Sequence, residues 1–253
     1  MKHFPGFTLE QFYQAPIAIP TPKRVEFKYE TDTVEFVFNS HGYRCQEFDS
    51  ITGDYILTAG PSSADGMALH LEDIWPERLA RELNMSVANL GKTESSAEFI
   101  CQNITNWLRH WPTRPRYIAV QWPDAFRTIH WQDQTGYFAS VNRPDDLFKA
   151  KVKQSDNYFW QPWLDSIVKL DIMCKNLEIP IIHMYIETFN DLTVPLPILE
   201  ARKVDLHLDL KAPGHSWHVD NGALDGIHHS AQCHARWTER MIRIIEQIEQ
   251  HSD

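Results

Sequence analysis

The run Tyr55-Ile-Leu-Thr-Ala carries no charge and stops at Gly60-Pro-Ser62, just before a segment with helical spacing. A strand without a polar face has to be covered on both sides, which confines it to the interior of a sheet sandwiched by other elements. The pattern then repeats along the chain. Residues 74–83 place Ile74, Leu79 and Leu83 on one helical stripe, 87–90 reads as a short strand and 99–108 as a helix. Residues 117–120 and Ile181–Tyr185 read as further strands, 163–177 as a long amphipathic helix, and 233–250 as a closing helix. Strands alternating with helices predict a parallel sheet with helices on both faces. In such sheets functional groups gather at the carboxyl ends of the strands, where Ser62 falls.

At 253 residues with 43% hydrophobic and 12% aromatic content, the chain has material for one large core plus an extension. A net charge of −10, with no lysine- or arginine-rich face, argues against nucleic acid as a partner. Cys45, Cys101, Cys174 and Cys233 are scattered without a CxxC pair, the usage of reduced thiols in a cytoplasmic-type protein. Met1-Lys-His-Phe-Pro-Gly-Phe lacks the apolar stretch of a signal peptide, and no segment approaches the roughly 18 apolar residues of a membrane span. The expectation is a soluble protein made in the cytoplasm; a particle protein released by lysis reads the same way.

The first 50 residues differ from the rest. Arg24-Val-Glu-Phe-Lys-Tyr-Glu and Thr33-Val-Glu-Phe-Val-Phe alternate apolar and polar positions around Thr31-Asp32, as a β-hairpin does, and Pro16, Pro20 and Pro22 favour extended chain before it. Residues 1–50 are therefore expected to form an extension docked on a main domain spanning 51–253. Within that domain, about 125–160 loses periodicity and gathers aromatics, including Phe126, Trp131, Tyr137, Phe148 and Trp160. This reads as an insertion over the functional edge of the sheet: a pocket wall, a partner surface, or a satellite core beneath a long loop.

The chemistry-bearing residues lie at two distant places. Ser62 stands where a strand hands over to a helix, and helix-start amides stabilise the negative charge that a serine nucleophile generates. Far downstream, Asp225-Gly-Ile-His228 supplies an acid and an imidazole three residues apart, completing a Ser, Asp, His order. Each has a plainer reading: Ser62 as a helix-cap serine, with Ser63 as the alternative hydroxyl, and Asp225 and Ser230 as caps of the closing helix. His229 and His234 read as structural or solvent-facing. His215, His218, His228, His229, Cys233 and His234 offer ligand types for a metal, but no HExxH or CxxC spacing supports one, so neither metal nor cofactor is expected.

From Tyr55 onward these residues resemble the SGNH, or GDSL-type, hydrolases. Gly60-Pro-Ser62-Ser-Ala-Asp-Gly66 is similar to that family's first block, Ile74-Trp75-Pro76 and Val87-Ala-Asn89-Leu-Gly91 to the helix and strand that follow, and Asp225-Gly-Ile-His228 to its Asp-x-x-His block, with His234 six residues on. Asn39-Ser40-His-Gly42-Tyr-Arg44 is similar to an "NSxGxR" segment found before the core in a bacterial and phage subgroup. The resemblance implies a flavodoxin-like three-layer α/β/α sandwich with a parallel sheet. It also implies a cofactor-independent esterase, lipase, thioesterase or carbohydrate deacetylase activity using Ser62, Asp225 and His228.

Three positions depart from the family pattern. Pro61 stands where Asp or Cys is usual, which removes a backbone donor beside the serine. The glycine whose amide helps form the oxyanion hole is replaced by Glu94, whose carboxylate must point away from a developing oxyanion. The Gly-x-Asn-Asp block is absent: after Tyr117-Ile-Ala-Val120 the chain reads Gln121-Trp-Pro-Asp124. The oxyanion candidates are thus the amides of Ser62 and Glu94 and the side chains of Gln121 and Asp124.

The expected activity is hydrolysis of an ester or O-acyl group on a small acylated molecule, carbohydrate esters included. The competing expectation, motivated by these departures, is a scaffold of weak or lost activity that serves as a binding or structural module, for instance in a phage particle.

Overall fold

A computed structural model describes residues 7–14, 16–18, 23–123, 125, 127–140, 157–185 and 222–250. The strands are β1 (Phe7–Thr8), β2 (Arg24–Lys28), β3 (Thr33–Val37), β4 (Tyr55–Ala59), β5 (Ser86–Asn89), β6 (Tyr117–Trp122), β7 (Arg127–Gln132), β8 (Thr135–Ser140) and β9 (Ile181–Tyr185). The helices are α1 (Leu9–Phe12), α2 (Ser62–Asp65), α3 (Trp75–Glu82), α4 (Ala97–His110), α5 (Asn157–Asn176) and α6 (Ala231–Gln250).

Every residue of β4 is buried, as its uncharged sequence requires. It pairs in parallel with β5 on one side and β6 on the other, and β9 follows β6, giving a four-stranded parallel sheet in the order β5-β4-β6-β9. Helices flank this sheet, a layered α/β arrangement. The chain leaves β4 for β5 through α3 and then returns past β4 to β6 through α4. Right-handed crossovers therefore put α3 and α4 on opposite faces. In keeping with that, α3 packs against α6 while α4 packs against α5. The reversal of direction makes the gap between the carboxyl ends of β4 and β6 a topological switch point, where open α/β sheets place their sites.

The expected hairpin is present: β2 and β3 pair antiparallel from Arg24↔Val37 to Lys28↔Thr33. Its inner residues Val34, Phe36 and Phe38 pack against Met67 and Leu224, so it touches the chain just after Ser62 and just before Asp225.

Two elements differ from expectation. Residues 127–140, read as part of an insertion without periodicity, contain the antiparallel hairpin β7–β8, whose β8 also pairs with β1. Ile129 and Trp131 close over Phe7, Ile17 and Phe99, a small core apart from the main one. Helix α5 begins at Asn157 and contains Pro162, earlier than the start at Trp163 that the amphipathic pattern suggests. All four cysteines are free and buried. No helix among the described residues is long and apolar enough to cross a membrane.

Candidate active site

At the end of β4 the chain needs a glycine. A Cβ on Gly60 would lie 2.8 Å from Ala64 Cβ and 3.0 Å from Gln121 Cβ. Pro61 caps a single turn, α2, its carbonyl accepting from the amides of Ala64 (3.0 Å) and Asp65 (3.1 Å). Gly66 ends the turn in the left-handed region at φ 78°. Ser62 is the first residue of that turn, and by position the amides of Ser62 and Ser63 have no acceptor within it.

The turn is fastened to the end of β5. Asn89 Nδ2 donates to Ala64 O (2.8 Å), while Asn89 Oδ1 accepts from Thr58 Oγ1 (3.1 Å) and Gly91 N (2.9 Å). Gly60 O accepts from Lys92 N (2.9 Å) and Ser95 Oγ (3.1 Å). Asp65 Oδ2 accepts from Thr93 N (3.1 Å) and Thr93 Oγ1 (2.6 Å). Loop 91–95 therefore lies directly against the Ser62 turn. Glu94 within it has φ +67°, a left-handed conformation natural to the glycine that the family resemblance places there.

The geometry separates the two serines. Ser63 is buried and its Oγ donates to Gln121 Oε1 at 2.7 Å. Ser62 is only partly buried, and its Oγ makes no hydrogen bond to a described residue. Gln121 Oε1 also accepts from Trp75 Nε1 at 3.1 Å. Because an indole N–H can only donate, the amide orientation of Gln121 is determined, with oxygen toward Trp75 and Ser63. Asp124, the other side-chain candidate, lies outside the described residues, as do His215 and His218.

Asp225 and His228 form a close pair, with Asp225 Oδ2 and His228 Nδ1 2.6 Å apart. Asp225 Oδ1 accepts from the amides of Ile227 and His228, both at 3.0 Å. Burial alone would raise the Asp225 pKa, but the two amides and the imidazole together hold it below the ordinary carboxylate value. A carboxylate only accepts, so Nδ1 carries the proton of a neutral ring and Nε2 is left as the acceptor. Asp225 thus serves its own loop and the imidazole, not a helix cap. Ser230 is the cap: its Oγ accepts from Cys233 N at 3.2 Å.

The two halves approach through Ala68, six residues beyond Ser62, whose carbonyl accepts from Leu224 N at 3.3 Å. No hydrogen bond joins Ser62 Oγ to His228. His234 acts elsewhere, its Nδ1 accepting from Trp75 N (3.0 Å) and so hooking the start of α6 to the start of α3. Burial, reinforced by His229, Arg78 and His228, pushes its pKa down to about 3, so it remains a neutral acceptor. His229 packs edge-on against Trp237. Among the described residues no group of three or more His, Cys, Asp or Glu side chains is arranged to hold a metal ion.

Three buried charges carry no local signal in the sequence that marks them as site residues: Asp65, within the Ser62 turn, and Arg44 and Lys92, near it. Lys92 Nζ donates to Gly42 O at 2.8 Å. Arg44 enters only through its likeness to a motif, and nothing in its local spacing shows what it reaches.

No family model and no curated protein matches the sequence. Several solved structures are similar in fold. A lipolytic protein of the G-D-S-L family from Desulfitobacterium hafniense overlays with a TM-score of 0.49 at 10% identity, over 76% of this chain and 99% of that one. The psychrotrophic esterase EstA from Pseudoalteromonas sp. gives 0.49 at 11% identity, over 78% and 100%. The acetyl xylan esterase Est2A from Butyrivibrio proteoclasticus gives 0.48 at 10%, over 81% and 66%. At such identities the chemistry has to be read from this chain's own residues.

Proposed function

We propose that the protein is a serine ester hydrolase in which Ser62 is the nucleophile, His228 the general base and Asp225 the residue that orients the imidazole. The observation that carries this reading is the 2.6 Å Asp225–His228 pair. It fixes the tautomer whose Nε2 can take a serine proton. The partly buried, unengaged Ser62 hydroxyl at the switch point supports it.

Ser62 Oγ attacks the ester carbonyl as His228 Nε2 takes its proton. The tetrahedral oxyanion is met by the amides of Ser62 and Glu94 and by the side-chain amide of Gln121. Collapse expels the alcohol, which receives the proton from His228, and leaves an acyl-enzyme. Water, activated in turn by His228, then releases the acid. The substrate class is a small acylated molecule, carbohydrate esters among them, and the four buried thiols suit a reducing, cytoplasmic compartment.

The test is labelling of the purified protein by a fluorophosphonate together with turnover of p-nitrophenyl acetate. Both should be present in the wild type and lost in Ser62→Ala and His228→Ala, with unfolding temperatures preserved. Folded wild type that neither labels nor turns over would favour the binding or structural role instead.

A further inference from the structure

Arg44 is 1% exposed, and its guanidinium is spent on one short stretch of backbone. Nη1 donates to Asp65 O (3.2 Å) and Gly66 O (2.6 Å), and Nη2 donates to Leu69 O (2.7 Å). Phe36 of the N-terminal hairpin lies beneath it, 3.7 Å from ring centroid to guanidinium carbon. Above, Gly66 leaves no room for a side chain, since a Cβ there would fall 2.8 Å from Nη1 and 2.2 Å from Ile74 Cγ2. The accepting carbonyls belong to the end of the α2 turn and the bend after it; Gly66 O also takes the Leu69 amide (3.2 Å), so Arg44 reinforces a bend that the backbone begins to close by itself. The planar fork of arginine offers such acceptors donors from separate nitrogens in fixed geometry, where lysine has one nitrogen on a flexible stem.

The stretch that Arg44 holds adjoins one half of the proposed catalytic centre at each end. Ser62 begins the turn whose last residue is Asp65, and Ala68, between Gly66 and Leu69, accepts from Leu224 at the start of the Asp225–His228 loop. We propose that Arg44 is the positioning residue of this centre: by fixing residues 65–69 it sets the Ser62 turn and the Asp225–His228 loop relative to one another. The inference rests on the assignment of Ser62, His228 and Asp225 above, and it gives the hairpin extension a part in catalysis. Tyr29, at the hairpin's end, lies in the same contact. It packs with Ala68, Ala223 and Leu224, and its phenol pKa is raised by burial and by the nearby Asp225 carboxylate.

The experiment compares wild type, Arg44→Lys and, as a core change elsewhere, Trp107→Phe. Arg44→Lys keeps the charge, but one ammonium nitrogen cannot stand where both Nη1 and Nη2 do, so the separate bonds to Gly66 and Leu69 cannot both keep their geometry. With p-nitrophenyl acetate, kcat should fall about tenfold or more with KM little changed, because misplacement of reacting groups is costly while binding contacts remain. Trp107→Phe should lower the unfolding temperature without that loss. Wild-type kcat in folded Arg44→Lys would overturn the inference and leave the serine-hydrolase reading standing.

If the wild type itself neither labels nor turns over, that reading fails, and amide hydrogen exchange decides the positioning. Faster exchange at both 65–69 and 223–228 in Arg44→Lys, with α4 (Ala97–His110) unchanged, supports it; unchanged or uniformly faster exchange overturns it. Should Arg44→Lys fail to fold, Phe36→Leu removes the ring under the guanidinium, keeps the core apolar and is read out in the same two ways.

Discussion

Replacing Asp225 by Asn isolates what the carboxylate does, because the two side chains are nearly the same shape. The Asn carbonyl can keep the two 3.0 Å bonds from the Ile227 and His228 amides. Its NH2 group then stands 2.6 Å from His228 Nδ1, a donor facing the donor that wild type presents there. The ring escapes this clash by moving its proton to Nε2, leaving Nδ1 to accept. In that tautomer Nε2 cannot take the Ser62 proton. The loss expected for a triad in the wrong tautomer is about 10⁴-fold in kcat, or about 5 kcal/mol of transition-state stabilisation. Stability should change far less, by roughly 1–2 kcal/mol for exchanging a charge-assisted bond for a neutral one. The pH dependence has a definite sign. The folded pKa of Asp225 lies below its ordinary value of 3.8, so the stabilisation is present above that value and lost as pH falls through the folded one. Asp225→Asn should therefore flatten the acid limb of the stability curve. Steady-state kinetics with p-nitrophenyl acetate and thermal unfolding against pH read out both effects. A loss of less than tenfold in kcat, with the fold intact, would refute the role given to Asp225.

His234→Asn keeps an acceptor for the Trp75 amide but removes the titration. Because the folded His234 pKa is lowered from 6.5 to about 3, the unfolded chain binds a proton that the folded one refuses. Wild type should lose stability as pH falls from 6.5 toward 3, and the variant should lose less, as followed by unfolding temperature; equal slopes would be contrary to a buried neutral His234. Gly91→Ala should destabilise by about 1–3 kcal/mol, since its Cβ would lie 2.6 Å from the Ala64 carbonyl carbon, a backbone atom that cannot swing aside. An unchanged denaturation midpoint would mean that the Ser62 turn yields more readily than its contacts with Asn89 and Gly91 suggest.

What can be read in the sequence is what is local. The candidate residues Ser62, Asp225 and His228 stand out because a strand, a glycine and a short spacing mark them, and the alternation of strands and helices implies the parallel sheet. The hairpin at 127–140 escapes because its two-residue turn, Asp133-Gln134, lacks the usual glycine; Asp133 takes the left-handed conformation itself, at φ 54°. Its inward pair, Ile129 and Trp131, meets partners as distant as Phe7, and no local pattern reveals that pairing. Gln121 is legible as a chemical type, but the direction of its amide is set by Trp75 and Ser63, 46 and 58 positions away.

The same distinction explains why the supports of the site are harder to see than the site. The Ser62 turn is held on one side by Asn89 from β5, on another by Arg44 from beyond the hairpin, and at its neighbour Ser63 by Gln121 from β6. These restraints come from three separate segments, and each uses a polar side chain that is almost wholly buried. Burying a cation and two amides is costly unless their hydrogen bonds are satisfied, and an apolar core of equal volume would hold the sheet together as well or better. Their presence is therefore better explained by what they aim than by what they stabilise. All three converge on the segment that presents the Ser62 hydroxyl at the gap between β4 and β6.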